Sequence, residues 1–495
     1  MIFFANMNKS GFIIVVIGLI ISVLISCKNE ITVSENPNLK LEFSTDTVHF
    51  DTIFTTLSSV TKNFKVYNRN DEAIKISSIK LENGDGSYYR INVNGISADE
   101  VYDQVLDKGD SLFIFVEVTI DPTNQDAPLA IEDNIIFLVN GNEQRTLLLA
   151  YGQDAIIYFP NYFPDNGLPP YSIIGDDGDG NCSSVTWTNE KPILIFGYAV
   201  VDEGCALTIE EGTKVYFHAF AGLWIFEDAK FDVLGSTDNP VIFQGDRFEE
   251  IYQDEPGQWD RIWINKSNQD HTIKNVIIKN ALIGLQIEAY PFELDGGAIS
   301  PNTVYLENAF ITHSSSRGIY ARNYKINAEN VAIANSGQYA VGISGGGEYK
   351  FNNCTFSNYW TFSNRETASF TVVNQYAIQG SVYQRAITNS YILNSIIDGN
   401  ISDGNEFVMD LYGEGNVFSG DHNLIRSNTE LPVDFTNTYL NENPELIDPW
   451  NSNLYPSENA FVLGKANPSS ATLSDLEGDP RPAEPALGAY EFKPE

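Results

Sequence analysis

Two acidic loops contain the residues whose types and spacing best suit chemistry. The first, DDGDGN at residues 176–181, carries Asp177, Asp179 and Asn181 at alternate positions, as a calcium-binding EF-hand loop does. It lacks the glycine expected after Asn181, and Thr188 stands at the twelfth position, where a bidentate glutamate is needed. These residues predict an irregular Ca²⁺ site, and the alternative is a solvated turn formed by glycine and aspartate.

The second loop, GDRFEEIYQDEPGQWDRIW at residues 245–263, combines carboxylates, arginines and aromatic rings. Its candidate ligand residues are Tyr252, Asp254, Trp259, Asp260 and Arg261. Aromatic rings beside carboxylates suit a sugar, because a ring can stack on it while carboxylates accept hydrogen bonds from its hydroxyls. The alternative is that the rings pack the loop onto its support and the arginines pair with its acids. The loop NYWTFSNRE at 358–366 allows the same two interpretations.

Internal repeats indicate which elements position these loops. Five segments align, at residues 272–280, 305–313, 327–335, 350–358 and 391–399. The fourth position of each is asparagine: Asn275, Asn308, Asn330, Asn353 and Asn394. Three residues later each has an apolar side chain: Ile278, Ile311, Ile333, Phe356 and Ile397. The asparagines are 33, 22, 23 and 41 residues apart, which indicates a unit of about 22 residues with two insertions.

A period near 22 residues with short alternating strands predicts a right-handed parallel β-helix, whose coils stack at about 4.8 Å. In such a stack an inward asparagine at a turn can hydrogen-bond its own coil and the amide of the next asparagine. We therefore interpret the repeated asparagines as a structural ladder and assign them no catalytic role.

Residues 41–155 show a different pattern of short strands and turns. DSLFIFVEVTIDP alternates along a whole strand, and NIIFLVNGNEQRTLLLAYG predicts a hairpin with Asn140, Gly141 and Asn142 at its bend. About 115 residues of this kind fit an immunoglobulin-like β-sandwich. From Phe64 onward the stretch resembles the Ig-like domains of bacterial surface proteins and of the ASPM/hydin type.

The first 26 residues have the form of a signal peptide. Lys9 precedes an uncharged run at 12–25, which as a helix would span roughly 21 Å, against a hydrocarbon core of about 30 Å. Leu24-Ile25-Ser26-Cys27 resembles a bacterial lipobox, which implies cleavage before Cys27 and attachment of lipid to its thiol. The alternative is an ordinary signal peptide or short anchor with an incidental cysteine.

The stretch before the asparagine repeats and the C-terminal end of the chain carry a second resemblance. CALTIEEGTKVYF at residues 205–217 and PVIFQGD at 240–246 resemble coils of Bacteroidota exported lipoproteins. DLEGDPRPAEPALGAYEF at 475–492 resembles the tail that ends many such surface β-helices. The resemblance covers about 200–495 and implies a pectin-lyase-like right-handed parallel β-helix at the cell envelope.

Cysteine spacing fits this arrangement. Cys182 and Cys205 are 23 residues apart, about one coil, so their Cα atoms would lie within disulfide reach. Exported proteins fold where disulfides form. We expect a disulfide that clamps the first coil, and the alternative is two free thiols.

No catalytic residues are identified. β-Helical polygalacturonases use carboxylates in NTD, DD and GHG motifs with a nearby RIK, and GHG and RIK are absent from this sequence. Aspartates able to hold the Ca²⁺ of a lyase do not recur on neighbouring coils. The formal charge of -37 argues against nucleic acid as a partner. It also disfavours acidic glycans and bare anionic membranes unless a divalent cation bridges the two.

The sequence thus predicts an all-β outer-membrane lipoprotein facing the periplasm or the cell surface. Its parts are a signal peptide (1–26), a lipidated tether (27–40), an Ig-like sandwich (41–155) and a β-helix with a C-terminal cap (156–495). The expected role is non-enzymatic binding or scaffolding, with a polysaccharide or surface protein as ligand. The alternatives are a polysaccharide lyase or glycoside hydrolase with an atypical site, and a spacer without ligand. Ca²⁺ is the one cofactor that the sequence indicates.

Overall fold

The computed structural model describes residues 32–122, 129–178, 181–289, 298–378 and 380–494. The chain divides into two compact units, one up to Gln153 and one from Asp154, whereas the sequence placed this boundary after residue 155. The described residues form strands and three short 3₁₀ turns, and none of them belongs to a helix able to cross a bilayer. The predicted signal peptide and Cys27 lie outside the described residues.

The described part of the first unit forms two five-stranded sheets. Its strands are β1 (Glu42–Phe43), β2 (Thr47–Phe54), β3 (Lys62–Tyr67), β4 (Ile74–Leu81), β5 (Tyr89–Val93), β6 (Ile96–Ser97), β7 (Glu100–Leu106), β8 (Ser111–Val118), β9 (Leu129–Val139) and β10 (Asn142–Gln153). The strand orders are β1-β3-β8-β5-β6 and β2-β10-β9-β4-β7, with antiparallel pairing except between β2 and β10.

The two sheets bury a common core. Alternation along β8 turns every second side chain inward, and Phe64 from one sheet meets Phe137 from the other with ring centroids 6.4 Å apart. The predicted hairpin joins β9 to β10 through Asn140 and Gly141, whose φ angles of 49° and 82° suit the two central positions of a type I′ turn. The immunoglobulin-like assignment of this unit remains a prediction.

The second unit is a solenoid of parallel strands. Its strands are β11 (Ile156–Tyr158), β12 (Tyr171–Ile173), β13 (Val185–Trp187), β14 (Ile193–Ile195), β15 (Tyr198–Val201), β16 (Ala206–Glu210), β17 (Lys214–Phe217), β18 (Gly222–Ile225), β19 (Lys230–Leu234), β20 (Val241–Gly245), β21 (Trp259–Ile264), β22 (His271–Lys279), β23 (Ala281–Glu288), β24 (Thr303–Ser314), β25 (Arg317–Ser336), β26 (Val341–Asn352), β27 (Thr355–Asn358), β28 (Phe370–Val373), β29 (Gln375–Ile378), β30 (Ser381–Gln384), β31 (Ser390–Leu393), β32 (Ile396–Gly399), β33 (Phe407–Asp410), β34 (Phe418–Asp421), β35 (Leu424–Ile425), β36 (Phe435–Thr436), β37 (Tyr439–Leu440), β38 (Leu446–Asp448) and β39 (Asn453–Pro456). The first coils pair every strand with the third one after it, so each coil contributes one strand to each of three faces.

The three faces are defined by their residues. Face A comprises 171–173, 198–201, 222–225, 259–264, 281–288, 317–322, 341–344, 370–373 and 407–410. Face B comprises 185–187, 206–210, 230–234, 271–274, 303–307, 325–329, 347–352, 390–393, 418–421 and 435–436. Face C comprises 156–158, 193–195, 214–217, 241–245, 276–279, 309–314, 331–336, 355–358, 396–399, 424–425 and 439–440.

The predicted repeats are the corners between face B and face C. Their apolar positions stack one above the other, as Ile278 pairs with Ile311, Ile311 with Ile333, Ile333 with Phe356 and Phe356 with Ile397. All five side chains are fully buried in the interior of the solenoid. The all-β class and the parallel solenoid are therefore as predicted, and the right-handed sense of the coil remains a prediction.

The repeated asparagines form the turn at each of these corners, with φ between 49° and 52°. Asparagine tolerates this left-handed conformation better than other side chains that bear a Cβ. A ladder runs through the first three, because Asn308 donates to Asn275 at 3.0 Å and Asn330 donates to Asn308 at 3.1 Å. It does not continue, since Asn353 donates to the carbonyl of Gly488 and Asn394 to the side chain of Asn352.

The side chains of Asn330, Asn353 and Asn394 bond the C-terminal strap (residues 467–490), whereas Asn275 donates to the carbonyl of Gly235 in the preceding coil. Asn330 donates to the carbonyl of Ser474 and accepts from Arg481 Nη2 at 3.1 Å. Residues of the strap also pack on the outward side chains of face C, where Tyr490 lies against Ala332 and Ala334. The C-terminal strap is thus a cover that these three asparagines hold in place.

Candidate functional site

Long connections lead into face A. They are 246–258 between β20 and β21, 359–369 between β27 and β28, and 400–406 between β32 and β33. The hairpin of β29 and β30 follows face A in a later coil. Binding residues concentrate on loops that a rigid scaffold carries, so a binding site is expected on face A.

Two indole rings stack at the start of the outer side of face A. Strand pairing places Trp224 beside Trp263, with ring centroids 4.7 Å apart and planes inclined by 15°. Trp224 is only 3% exposed and donates to Asn265 Oδ1, so it is a fixed, buried ring on which Trp263 stacks. Trp263 is half-buried and donates from Nε1 to Glu288 Oε1 at 2.9 Å. It is therefore a ring held in one orientation with part of its surface accessible.

A charged network adjoins these rings. The guanidinium of Arg261 donates to Asp260 Oδ1 at 2.8 Å, and Asp260 accepts a hydrogen bond from the hydroxyl of Tyr198. Burial, with the charge of Asp260 added, raises the pKa of Tyr198, which therefore stays a donor at neutral pH. Arg261 also donates to the amide oxygen of Gln286 in the next coil. These bonds fix Arg261 beside the tryptophan pair.

The network continues across the next coils. Gln286 pairs with Tyr320, and Glu288 pairs with Arg322, in the register of adjacent strands. The hydroxyl of Tyr320 and the Nε of Arg322 both contact Ser344 Oγ, at 3.0 and 3.2 Å. Gln286 and Glu288 are buried, whereas Tyr320 and Arg322 are half-buried. Aromatic and guanidinium groups thus form one row, in which the buried Gln286 and Glu288 bond its first members and Ser344 bonds Tyr320 and Arg322.

The structure separates the five candidate residues of loop 245–263. Asp260 and Arg261 lie on face A, as described. Trp259 points into the core instead, where it is 1% exposed and stacks on Phe217 at 4.1 Å, so its ring offers no surface to a ligand. Tyr252 packs under the guanidinium of Arg247 at 4.0 Å, and the exposed Asp254 lies 4.0 Å from His313 Nδ1. Tyr252 and Asp254 therefore belong to a separate surface at the corner of the coil.

The arginine of the second aromatic loop has a structural role. Arg365 and Glu406 form a doubly hydrogen-bonded pair with distances of 2.6 and 2.8 Å, and both side chains are buried. Glu406 also accepts from the backbone N–H groups of Ser369 and Ile401. The pair closes loop 359–369 onto the following coil.

The predicted calcium loop is described only in part. Asp177 accepts from the backbone and the side-chain amide of Asn181, at 3.2 and 3.3 Å, and Asp179 lies outside the described residues. Among the residues that the structure describes, no group of three or more His, Cys, Asp or Glu side chains is placed to hold a metal ion. A Ca²⁺ site at this loop remains a prediction.

The cysteines are arranged as a bonded pair and a buried thiol. Cys182 and Cys205 form a disulfide between adjacent coils, with Cα atoms 6.0 Å apart. Cys354 lies in the interior, where burial raises its thiol pKa to about 12. It is therefore a structural residue.

Sequence reasoning missed most of face A. The residues concerned are Tyr198, Trp224, Gln286, Glu288, Tyr320 and Arg322. What these residues share is their position, because they project outward from paired strands. Their spacing in the sequence is not constant, since Trp224 and Trp263 are 39 residues apart while Gln286 and Tyr320 are 34 apart. Connections of unequal length hide such a register until the coils are seen stacked.

Comparison with known proteins gives distant similarities. No family model matches the chain, and no curated protein matches it in sequence. The VesB protease of Vibrio cholerae is 13% identical over 23% of this chain and 31% of its own, with a TM-score of 0.17, so the chain spans about a third of that protease. A PapD-like domain of human CEP192 is 10% identical over 26% of this chain and 94% of its own, with a TM-score of 0.17. XylC in complex with xylose is 8% identical over 89% of this chain and 88% of its own, with a TM-score of 0.29. Likeness at this level identifies neither a family nor an activity.

Proposed function

We propose that the chain is a cell-envelope lipoprotein, anchored through lipid on Cys27, that binds a glycan on face A without cleaving it. In this proposal residues 41–155 are an Ig-like domain, and residues 156–495 are a right-handed, pectin-lyase-like β-helix in the outer membrane compartment. The lipobox-like sequence and the Bacteroidota-like coils support the location.

One observation carries the binding proposal. The accessible surface of Trp263 lies in one row with the half-buried Arg261, Tyr320 and Arg322. The buried Glu288 and Gln286 bond Trp263 and Arg261, and the half-buried Ser344 bonds Tyr320 and Arg322. A fixed indole can stack on the apolar side of a sugar ring, and guanidinium and hydroxyl groups can bond its hydroxyls. Because the row spans several coils, it suits several successive sugar units of a polymer.

The test is retardation of the purified chain, kept in detergent, in gels that contain neutral or acidic polysaccharides, with and without Ca²⁺. The same mixtures are assayed for shortened or unsaturated products. We expect retardation without products, and weaker retardation after Trp263→Ala or Tyr320→Ala. Tyr305→Ala, an exposed tyrosine on face B, is the matched control and should behave as the wild type.

Other outcomes identify other functions. Products would show a polysaccharide lyase or hydrolase and would overturn the binding proposal. Retardation that is unchanged in the face A variants would place the glycan site elsewhere. The absence of both retardation and products would favour a protein partner or a spacer.

A further inference from the structure

A polar cavity lies at the last coils of the solenoid. Its volume is about 590 Å³, within the range of sites for small ligands. It is lined by Tyr359, by Asp398 of β32, and by residues of the connections at 402–404, 426–428 and 441–444. It shares no residue with the network on face A described above.

Asp398 is the buried group of this cavity. Its side chain is 3% exposed, and it accepts a hydrogen bond from the hydroxyl of Tyr359 at 2.7 Å. Burial raises the pKa of this carboxyl. Keeping a carboxylate out of water is costly unless its partners compensate, so Asp398 holds the Tyr359 hydroxyl and the Arg426 guanidinium in place beside the cavity.

Arg426 supplies donors beside this carboxylate. Its Nη1 donates to the carbonyl of Gly399 at 2.7 Å and lies 3.6 Å from Asp398 Oδ1. The side chain remains 41% exposed, so the anchored guanidinium still presents part of its edge to the cavity. Donor and acceptor groups therefore lie side by side on one wall.

The remaining lining residues add further acceptors and a hydroxyl group. Asp403 is held in its turn by the backbone N–H of Asn405 at 2.9 Å, and Asn428 bonds the backbone of the same turn. Ser402 and Glu442 line the cavity as exposed side chains. The lining thus carries three carboxylates and one guanidinium, which disfavours an anionic ligand such as a phosphate or a uronate.

We propose that this cavity is a subsite for a neutral saccharide unit. Neighbouring hydroxyls of a sugar donate to carboxylates and accept from a guanidinium at the same time, and the lining offers the exposed carboxylates of Asp403 and Glu442 with the guanidinium of Arg426. The ligand class rests on the proposed function, and the location does not, because the two sites are built from different residues.

The experiment measures binding of glucose, galactose, lactose, maltose and cellobiose to the purified chain by calorimetry and saturation-transfer NMR. We expect at least one of them to bind with a Kd below about 10 mM. Arg426→Gln should weaken binding at least about tenfold, a loss of about 1.4 kcal/mol, and Glu442→Gln should weaken it in the same direction. Arg69→Gln, an exposed arginine of the first unit, is the matched control and should have no effect.

Running the polysaccharide gels on the same variants separates the two proposals. Loss of short-saccharide binding in Arg426→Gln and Glu442→Gln, with polymer retardation intact, supports the subsite. If no short saccharide binds, or if both cavity variants bind as the wild type does, the subsite proposal is overturned, whether or not the face A variants change the retardation by polysaccharides. Binding of Ca²⁺ alone that depends on Glu442, without any saccharide binding, would overturn it in favour of an ion site.

Discussion

Asn330 combines two roles, a left-handed backbone conformation at the corner of the coil and side-chain hydrogen bonds to the strap. Its backbone has φ of 52°, and its amide bonds Asn308 and the strap residues Ser474 and Arg481. The repeat of asparagine was evident from the sequence. The strap as its main partner was not, because that contact joins residues more than 140 positions apart.

Substitution of Asn330 should separate the free-energy contribution of its side-chain hydrogen bonds from that of its left-handed backbone. Asn330→Gly loses the side-chain bonds, at about 0.5–1.5 kcal/mol each, and Asn330→Ala should cost about 1 kcal/mol more for the left-handed backbone. All six tryptophans lie in the second unit, so their fluorescence during urea unfolding reports on the solenoid. The exposed Asn389, also at positive φ, is the control. Asn389→Ala should again lose more unfolding free energy than Asn389→Gly, and both should lose less than the corresponding variants of Asn330. Equal losses for Asn330→Gly and Asn330→Ala would refute the backbone contribution.

His271 makes the solenoid sensitive to acid. Its Nδ1 accepts from the backbone N–H of Phe231, and burial, with the charge of Lys230 added, lowers its pKa to about 4. The unfolded pKa is about 6.5, so the neutral imidazole stabilises the fold above pH 6.5 and this contribution is lost as pH falls towards 4. The full loss is up to about 3 kcal/mol.

His271→Asn should remove this dependence, because its side-chain oxygen can accept from Phe231 without titrating. We expect the difference in unfolding free energy between wild type and variant to shrink by up to about 3 kcal/mol between pH 7 and 4. Urea unfolding at several pH values measures it. Parallel curves for the two proteins would refute the assignment.

At the scale of elements, the periodic strands could be predicted and their outward faces could not. Ile278, Ile311, Ile333, Phe356 and Ile397 stack as their spacing implied, because the interior of a coil admits one regular pattern. Trp259 and Trp263 come from the same loop sequence, yet one faces the core and the other the surface. Residues four apart in a regular strand point to the same side, but the register of β21 shifts between Arg261 and Ile262, and this irregularity reverses the alternation between the two rings. The composition of the loop does not reveal such a shift.

The disulfide should stabilise the first coils. It closes a loop of about 24 residues between Cys182 and Cys205, and loops of this size are stabilised by about 3 kcal/mol through restriction of the unfolded chain. The double variant Cys182→Ser with Cys205→Ser should lower the unfolding free energy by this amount. Reduction of the wild type should reproduce the loss while the buried Cys354 stays unreactive. Unfolding that is insensitive to reductant would contradict the prediction.

At the scale of the whole molecule, charge restricts which polymers can bind. The net charge of -37 repels polyanions, and this repulsion is screened by salt. The hydrogen bonds and stacking offered by face A involve no net ion pairing with a neutral glycan.

Retardation by a neutral polysaccharide should therefore change little between roughly 50 and 500 mM salt. Retardation by an acidic polysaccharide should require a divalent cation. Strong retardation by an acidic polymer at low salt without such a cation would contradict the prediction that net charge repels polyanions, and it would indicate a local basic surface.

The C-terminal strap also restricts how this protein can change over evolutionary time. It reaches from Asn394, which accepts from Asn467, back to Thr237, which Gly478 approaches, so it crosses six successive coils. Solenoids usually lengthen by duplicating a repeat, since each repeat contacts only its neighbours. Here a coil duplicated beneath the strap would move Arg481 and Gly488 out of register with their asparagines. The strap therefore acts as a gauge of coil number, and new sequence is accommodated in the loops or in coils beyond its reach.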